Sequence, residues 1–112
     1  MRGRPYKEWS STIQELKKAE RPGDALKLAL ECAHAANATT LITRKPQGSR
    51  FTEMAAIIYR ADRNYDSEVQ VLEEHLLSLR SIQVDGGAST ERVRKRLART
   101  LELRAASYRM AA

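Results

Sequence analysis

Residues 51–79 read FTEMAAIIYRADRNYDSEVQVLEEHLLSL and contain two amphipathic patterns separated by a short turn. In each pattern the apolar residues recur three or four positions apart, which is typical of one face of an α-helix. The first face consists of Phe51, Met54, Ala55 and Ile58, widened by Ile57 and Ala61. The second face consists of Val69, Leu72, Leu76 and Leu79. Because the turn is short, the two helices are expected to lie antiparallel.

The turn between these helices is predicted at residues 63–66, Arg-Asn-Tyr-Asp. Asn64 tolerates the left-handed conformation that such turns need, and Asp66 is placed to cap the next helix by accepting backbone N–H bonds. Glu68 then lies in the first turn of the second helix, where the helix dipole favours a negative charge.

Several residues of this hairpin match a known repeat pattern in type and position. Ala55 and Ala56 stand where the pattern places a large and then a small residue, Tyr59 matches its aromatic residue, and Leu72 falls at a packing position of the second helix. On these residues the hairpin resembles a tetratricopeptide repeat, although Glu68 stands where that family prefers alanine. The stretch is also similar to small helical modules of actinobacterial and phage proteins. The resemblance implies helical hairpins stacked in a right-handed array.

Length and composition favour one small all-α domain over 1–112. The chain has 112 residues, of which 42% are hydrophobic and 30% charged, and no apolar run approaches the roughly 20 residues that span a bilayer. We therefore expect no membrane partner. The basic N-terminus lacks the apolar core of a signal peptide. The single cysteine, Cys32, fits a reducing cytoplasm, where disulfides are rare.

The rest of the chain is divided around the central hairpin by its turn-forming residues. A first hairpin is predicted at about 5–36, where the pattern of the central hairpin recurs more weakly. Residues 37–50 are predicted to form a long loop, because the β-prone run at 39–43 has no partner strand. The central hairpin covers 51–80 and a linker 81–88.

The last helix is predicted at 89–110, capped by Ser89 or Thr90. Its apolar stripe consists of Val93, Leu97, Leu101, Ala105 and Tyr108. Such a helix, apolar on one side and polar on the other, is suited to closing a repeat array. The complete prediction is therefore five helices, with two stacked antiparallel hairpins and a C-terminal capping helix.

The side chains that catalyse reactions or bind metals form no recognisable motif in this sequence. Cys32 and His34 point to different sides of a helix, and His75 adjoins an apolar stripe. Glu31 and His34 have the Glu-x-x-His spacing of di-iron bundles, which require two such pairs. We therefore expect no enzymatic activity, catalytic residue, cofactor or metal.

A partner-binding surface follows from the tetratricopeptide resemblance, because these arrays hold extended peptides on the concave side formed by their first helices. By position, that side is formed by Lys7, Gln14, Lys17, Lys18, Arg50, Glu53, Ile57 and Arg60. Five of the eight are cationic. The expected partner is therefore an acidic peptide or protein segment.

An alternative function is suggested by the charge distribution, since residues 1–50 carry +5, residues 51–88 carry −4 and residues 89–112 carry +5. The last helix concentrates its cations in Arg92, Arg94, Lys95, Arg96 and Arg99, which is typical of a nucleic-acid accessory protein. The charge order is also consistent with attraction between neighbouring surfaces of one molecule. A homo-oligomer is also possible, because a two-repeat stack leaves apolar edges uncovered.

Overall fold

The computed structural model describes residues 2–111, so the two end residues of the predicted domain lie outside it. Within this range the chain forms a 3-10 turn, five α-helices and no strand, which confirms the all-α prediction. The elements are the 3-10 turn Tyr6–Trp9, α1 (Ser10–Lys18), α2 (Pro22–Thr43), α3 (Arg50–Ala61), α4 (Tyr65–Ser81) and α5 (Gly87–Ala111).

The five helices pack in chain order as two hairpins followed by one helix. α1 packs on α2 and α3 on α4, while α2 also contacts both helices of the second hairpin and α5 contacts α4. The predicted stacking of hairpins is therefore confirmed. The right-handed twist and the tetratricopeptide relationship stay predictions.

The core lies around α2, which contacts α1, α3 and α4 as well as the 3-10 turn. Ala25, Ala29 and Cys32 are fully buried there, because small side chains let the neighbouring helices approach closely. From the central hairpin, Phe51 and Leu72 pack into the same cluster. Ile57 and Ala61, which were predicted to widen the buried face of α3, are instead exposed.

α2 is longer than predicted, and the predicted loop at 37–50 is wrong over its first half. The helix continues to Thr43, so the connection shortens to residues 44–49. The hydroxyls of Thr39, Thr40 and Thr43 each donate to the backbone carbonyl four residues earlier, at 2.8, 3.1 and 2.7 Å. Thr40 is also buried. Packing therefore outweighs the β-propensity of threonine, and the hydrogen bonds satisfy the hydroxyl groups within the helix.

The shortened connection is held to its surroundings by polar contacts. Arg44 takes a left-handed conformation with φ 57° and ends α2, and its N–H donates to the Thr40 carbonyl. The Gln47 N–H donates to the Thr40 hydroxyl at 3.1 Å, and the Gln47 amide oxygen accepts from the Tyr6 hydroxyl at 2.6 Å. The Tyr6 ring also meets Phe51 edge-on. The connection therefore packs against the N-terminal turn.

Two predicted helix ends are corrected in detail. The first α-helix was expected to start near Pro5, but the extended ψ of 141° at Pro5 leaves a 3-10 turn before α1 begins at Ser10. In the turn of the central hairpin, Arg63 rather than Asn64 takes the left-handed conformation. Asn64 caps α4 in place of Asp66, since its side chain accepts from the Ser67 N–H.

α5 begins at Gly87, two residues before the predicted start, and the turn depends on Gly86. Gly86 has φ +81°, and a Cβ there would lie 2.1 Å from the Thr90 hydroxyl oxygen. The apolar stripe of α5 is buried at Val93 and partly buried at Leu97, but Leu101 and Tyr108 are exposed. α5 has 25 residues and α4 has 17, so α5 does not bury its whole predicted stripe.

Candidate partner-binding groove

A groove runs along the exposed side of α3, and its middle part is a central depression of about 610 Å³ between α1, α3 and α5. Ile57, which is 43% exposed, and Met54 form its apolar floor. The other lining residues are polar or charged, or are glycine: Ser10, Ser11, Gln14, Gly48, Ser49, Arg50, Glu53, Ser89 and Arg92.

Three helices begin at the central depression. Ser10 is the first residue of α1, Arg50 is the first residue of α3, and Ser89 lies in the first turn of α5. The N-terminus of each helix carries a partial positive charge of about half an elementary charge. These three helix N-termini therefore make the central depression attractive to anions, in addition to its arginines.

The charged side chains of the central depression are arranged by short contacts. The Glu53 carboxylate accepts from the Ser49 hydroxyl at 2.7 Å and from Arg92 Nε at 3.3 Å. Arg50 forms no ion pair within residues 2–111, and its guanidinium lies 3.5 Å from the Ser10 hydroxyl oxygen. Arg92 is thus held beside the groove by Glu53, while Arg50 keeps an uncompensated positive charge.

Two further depressions extend the groove in opposite directions along α3. The outer depression, of about 200 Å³, shares Gly48 and Arg50 with the central depression and is also lined by Lys7. The apolar depression, of about 640 Å³, shares Ile57 and lies where both hairpins turn. Its remaining lining residues are Lys17, Glu20, Pro22, Gly23, Leu26, Ile58, Tyr59, Ala61, Asp62 and Asn64.

Six of the eight residues predicted for the partner surface line this groove, namely Lys7, Gln14, Lys17, Arg50, Glu53 and Ile57. Lys18 is exposed but lines none of the three depressions. Arg60 does not line them either, because its guanidinium is engaged between helices.

Arg60 belongs to a buried ion cluster centred on Glu68, which is fully buried. The Glu68 carboxylate accepts from Arg60 Nε at 3.1 Å and from Arg96 Nη1 at 3.1 Å. Arg60 also donates to the Thr100 hydroxyl at 2.6 Å. The carboxylate at the position where the resemblance expects alanine therefore ties α3, α4 and α5 together, and Arg60 and Arg96 serve this contact.

The cations predicted to bind nucleic acid are mostly paired within the molecule. Arg92 pairs with Glu53 and Arg96 with Glu68, while Arg94 and Arg99 pair with carboxylates near them on the chain. Lys95 is exposed and forms no ion pair within the described residues. The structure thus supports internal charge neutralisation, and the nucleic-acid alternative stays a prediction with less support.

Three of the candidates for catalysis or metal binding, Cys32, Glu31 and His34, have separate surroundings in the structure. Burial raises the pKa of the Cys32 thiol to about 11, which disfavours the nucleophilic thiolate. The Glu31 carboxylate accepts from Arg2 Nε at 2.7 Å, and His34 lies 3.6 Å from Glu74 on α4. No group of three or more side chains suited to holding a metal ion occurs in the described part of the chain.

The sequence did not predict that Arg92 and four serine residues line the central depression. Arg92 was predicted only for the nucleic-acid surface, but it lines the groove. Ser10, Ser49 and Ser89 each lie at or next to the start of a helix. Serine before an amphipathic run is a known helix-start signal, so comparing the three starts would have indicated a shared polar end.

Comparisons with protein-family models, with curated proteins and with solved structures found no significant match. Among the helices described, none combines the length and the hydrophobicity needed to cross a membrane.

Proposed function

We propose that this chain is a non-enzymatic interaction module that holds an extended acidic segment of a partner protein in the groove along α3. The observation that carries the proposal is the position of Arg50. Its guanidinium has no carboxylate partner within residues 2–111 and stands where three helix N-termini meet. A carboxylate of the partner would supply the missing charge-assisted hydrogen bonds.

The charges along the groove support an acidic partner at one end in particular. Lys7, Arg50 and Arg92 line the outer and central depressions and face a single carboxylate there, Glu53. We therefore expect the acidic residues of the partner to bind at this end rather than along the whole groove. The proposed binding region for acidic residues is therefore smaller than the basic concave face that was predicted from the sequence.

The test uses labelled synthetic peptides of glycine and serine that carry either several glutamates or several lysines. The glutamate peptide is expected to raise fluorescence anisotropy on binding, and the lysine peptide is not. Arg50→Gln should weaken binding about tenfold, since a charge-assisted hydrogen bond contributes about 1.5–3 kcal/mol.

The matched control is Arg99→Gln, which removes another exposed arginine, one whose partner is Glu102 on the same helix. This control should leave the affinity unchanged. Equal binding of the two peptides, or equal losses in the two variants, would contradict the proposal. Far-UV circular dichroism confirms that both variants are folded.

A further inference from the structure

The apolar depression differs in chemistry from the rest of the groove. Leu26, Ile57 and Tyr59 are among its lining residues, and the charged residues of the lining are one cation, Lys17, and two carboxylates, Glu20 and Asp62. These charges provide no net electrostatic attraction for an acidic side chain of the partner. The exposed surface of Ile57 instead offers apolar area that a partner side chain would remove from water.

The distance between the two chemistries is set by α3. The charged end lies at Arg50, and the α3 residues that line the apolar depression run from Ile57 to Ala61, so the middle of that run is nine residues after Arg50 on the same helix. A helix rises about 1.5 Å per residue, so the two ends lie about 13 Å apart. An extended chain covers this distance in about four residues, and side chains four residues apart point to the same side of an extended strand.

We infer that the partner segment is bipartite: an acidic side chain binds at Arg50, and a bulky apolar side chain about four residues away packs beside Ile57 in the apolar depression. The inference rests on the proposed function, because it assigns the second part of the same groove. It makes Ile57 a specificity-determining residue. The segment is recognised by the spacing of two different side chains rather than by net charge.

The test is a series of labelled glycine–serine peptides with one pair of glutamates and one leucine. The leucine is placed about two, four or eight residues from the glutamates, in both chain orders, beside a peptide that has glutamates alone. We expect the four-residue spacing, in one of the two orders, to bind about tenfold tighter than the glutamate-only peptide, which corresponds to about 1.4 kcal/mol. The other spacings should bind within about twofold of the glutamate-only peptide.

Two variants locate the leucine in the groove. Ile57→Ser should abolish the gain from leucine, measured as the ratio of the affinities of the four-residue-spacing peptide and the glutamate-only peptide for the same variant. Leu77→Ser is the matched control, because Leu77 is also an exposed aliphatic residue, 57% accessible, but lies on α4 outside the groove. This control should keep the full gain.

The outcomes separate the two proposals. If the glutamate-only peptide binds through Arg50 but leucine adds nothing, or adds the same at every spacing, the bipartite segment is wrong and the proposed function stands. If no glutamate-containing peptide binds, both are wrong. Should Ile57→Ser prove unfolded by circular dichroism, the spacing series on the unaltered protein decides the question.

Discussion

At the scale of single residues, the helix ends show where this sequence departs from local preference. Glu20, Arg44, Arg63 and Gln83 all have φ between 56° and 59°, and each follows the end of one of the helices α1 to α4. Glycine is the usual residue at such positions, because a side chain makes the left-handed conformation costly. Each of these residues therefore stores a small amount of conformational strain.

Gln83→Gly is predicted to stabilise the protein by about 0.5–1 kcal/mol, since it relieves this strain at an exposed position. The Val84 N–H donates to the Leu79 carbonyl and closes the turn, and this bond is kept in the variant. The free energy of unfolding is measured in urea by circular dichroism. Gln70→Gly, within α4, is the control and should destabilise by about 1 kcal/mol. The same sign of change in both variants would contradict the prediction.

At the scale of the helices, the ion cluster around Glu68 fixes how α5 closes the stack. Glu68 is on α4, Arg60 on α3 and Arg96 on α5, so a single carboxylate joins three helices. The two arginines are about a quarter exposed, whereas the carboxylate is fully buried. A buried ion pair adds little net stability by comparison with apolar packing, but removing one partner leaves the others uncompensated.

Glu68→Ala is accordingly predicted to cost about 3 kcal/mol, because both guanidinium groups lose their anion and must recover water. Urea unfolding followed by circular dichroism measures this cost. Glu73→Ala is the matched control on the same helix, since Glu73 is exposed, and it should change stability by less than about 0.5 kcal/mol. Similar values for the two variants would show that the cluster contributes no specific stability.

At the scale of the whole molecule, the basic–acidic–basic order of the sequence becomes a set of ion pairs between α5 and the central hairpin. Arg92, Arg96 and Arg104 of α5 pair with Glu53, Glu68 and Asp66 of the central hairpin. Attraction between neighbouring surfaces, one of the two explanations left open by the sequence, thus accounts for much of the charge of α5. Arg50 remains outside this pairing.

The buried His75 makes global stability depend on pH. Burial lowers the pKa of His75, the nearby Glu53 opposing this only in part, and the Nε2 atom has no hydrogen-bond partner in the described structure. The unfolded chain therefore binds a proton on His75 at a higher pH than the folded chain does. Stability should be unaffected by His75 well above pH 6.5 and should fall as the pH drops below about 6.5.

The measurement is the free energy of unfolding between neutral and mildly acidic pH, for the wild type and for His75→Gln. The variant should lose part of the decline seen in the wild type. His34→Gln is the control, since the side chain of His34 is 62% exposed, and it should retain the wild-type decline. An identical pH profile for the wild type and His75→Gln would contradict the assignment.

Much of the architecture was predictable because helical periodicity is a local property of the chain. The spacing of Val69, Leu72 and Leu79 determined the buried face of α4, and the position of Ile57 on the concave side was predicted by comparison with a repeat. The extension of α2 through Thr43 was not predictable in this way. It depends on the burial of Thr40 against neighbouring elements, which propensity alone does not describe.

The amino-acid sequence by itself determined the helical class and the order of the hairpins, because these follow from periodicity and turn signals. Only the tertiary structure decided which charged side chains form an ion pair within the described residues. Arg60 and Arg50 both looked available in the sequence, but one reaches a buried carboxylate and the other does not. The physical reason is that an ion pair needs two groups within a few ångströms, and that distance is fixed only when helices far apart in the chain have packed.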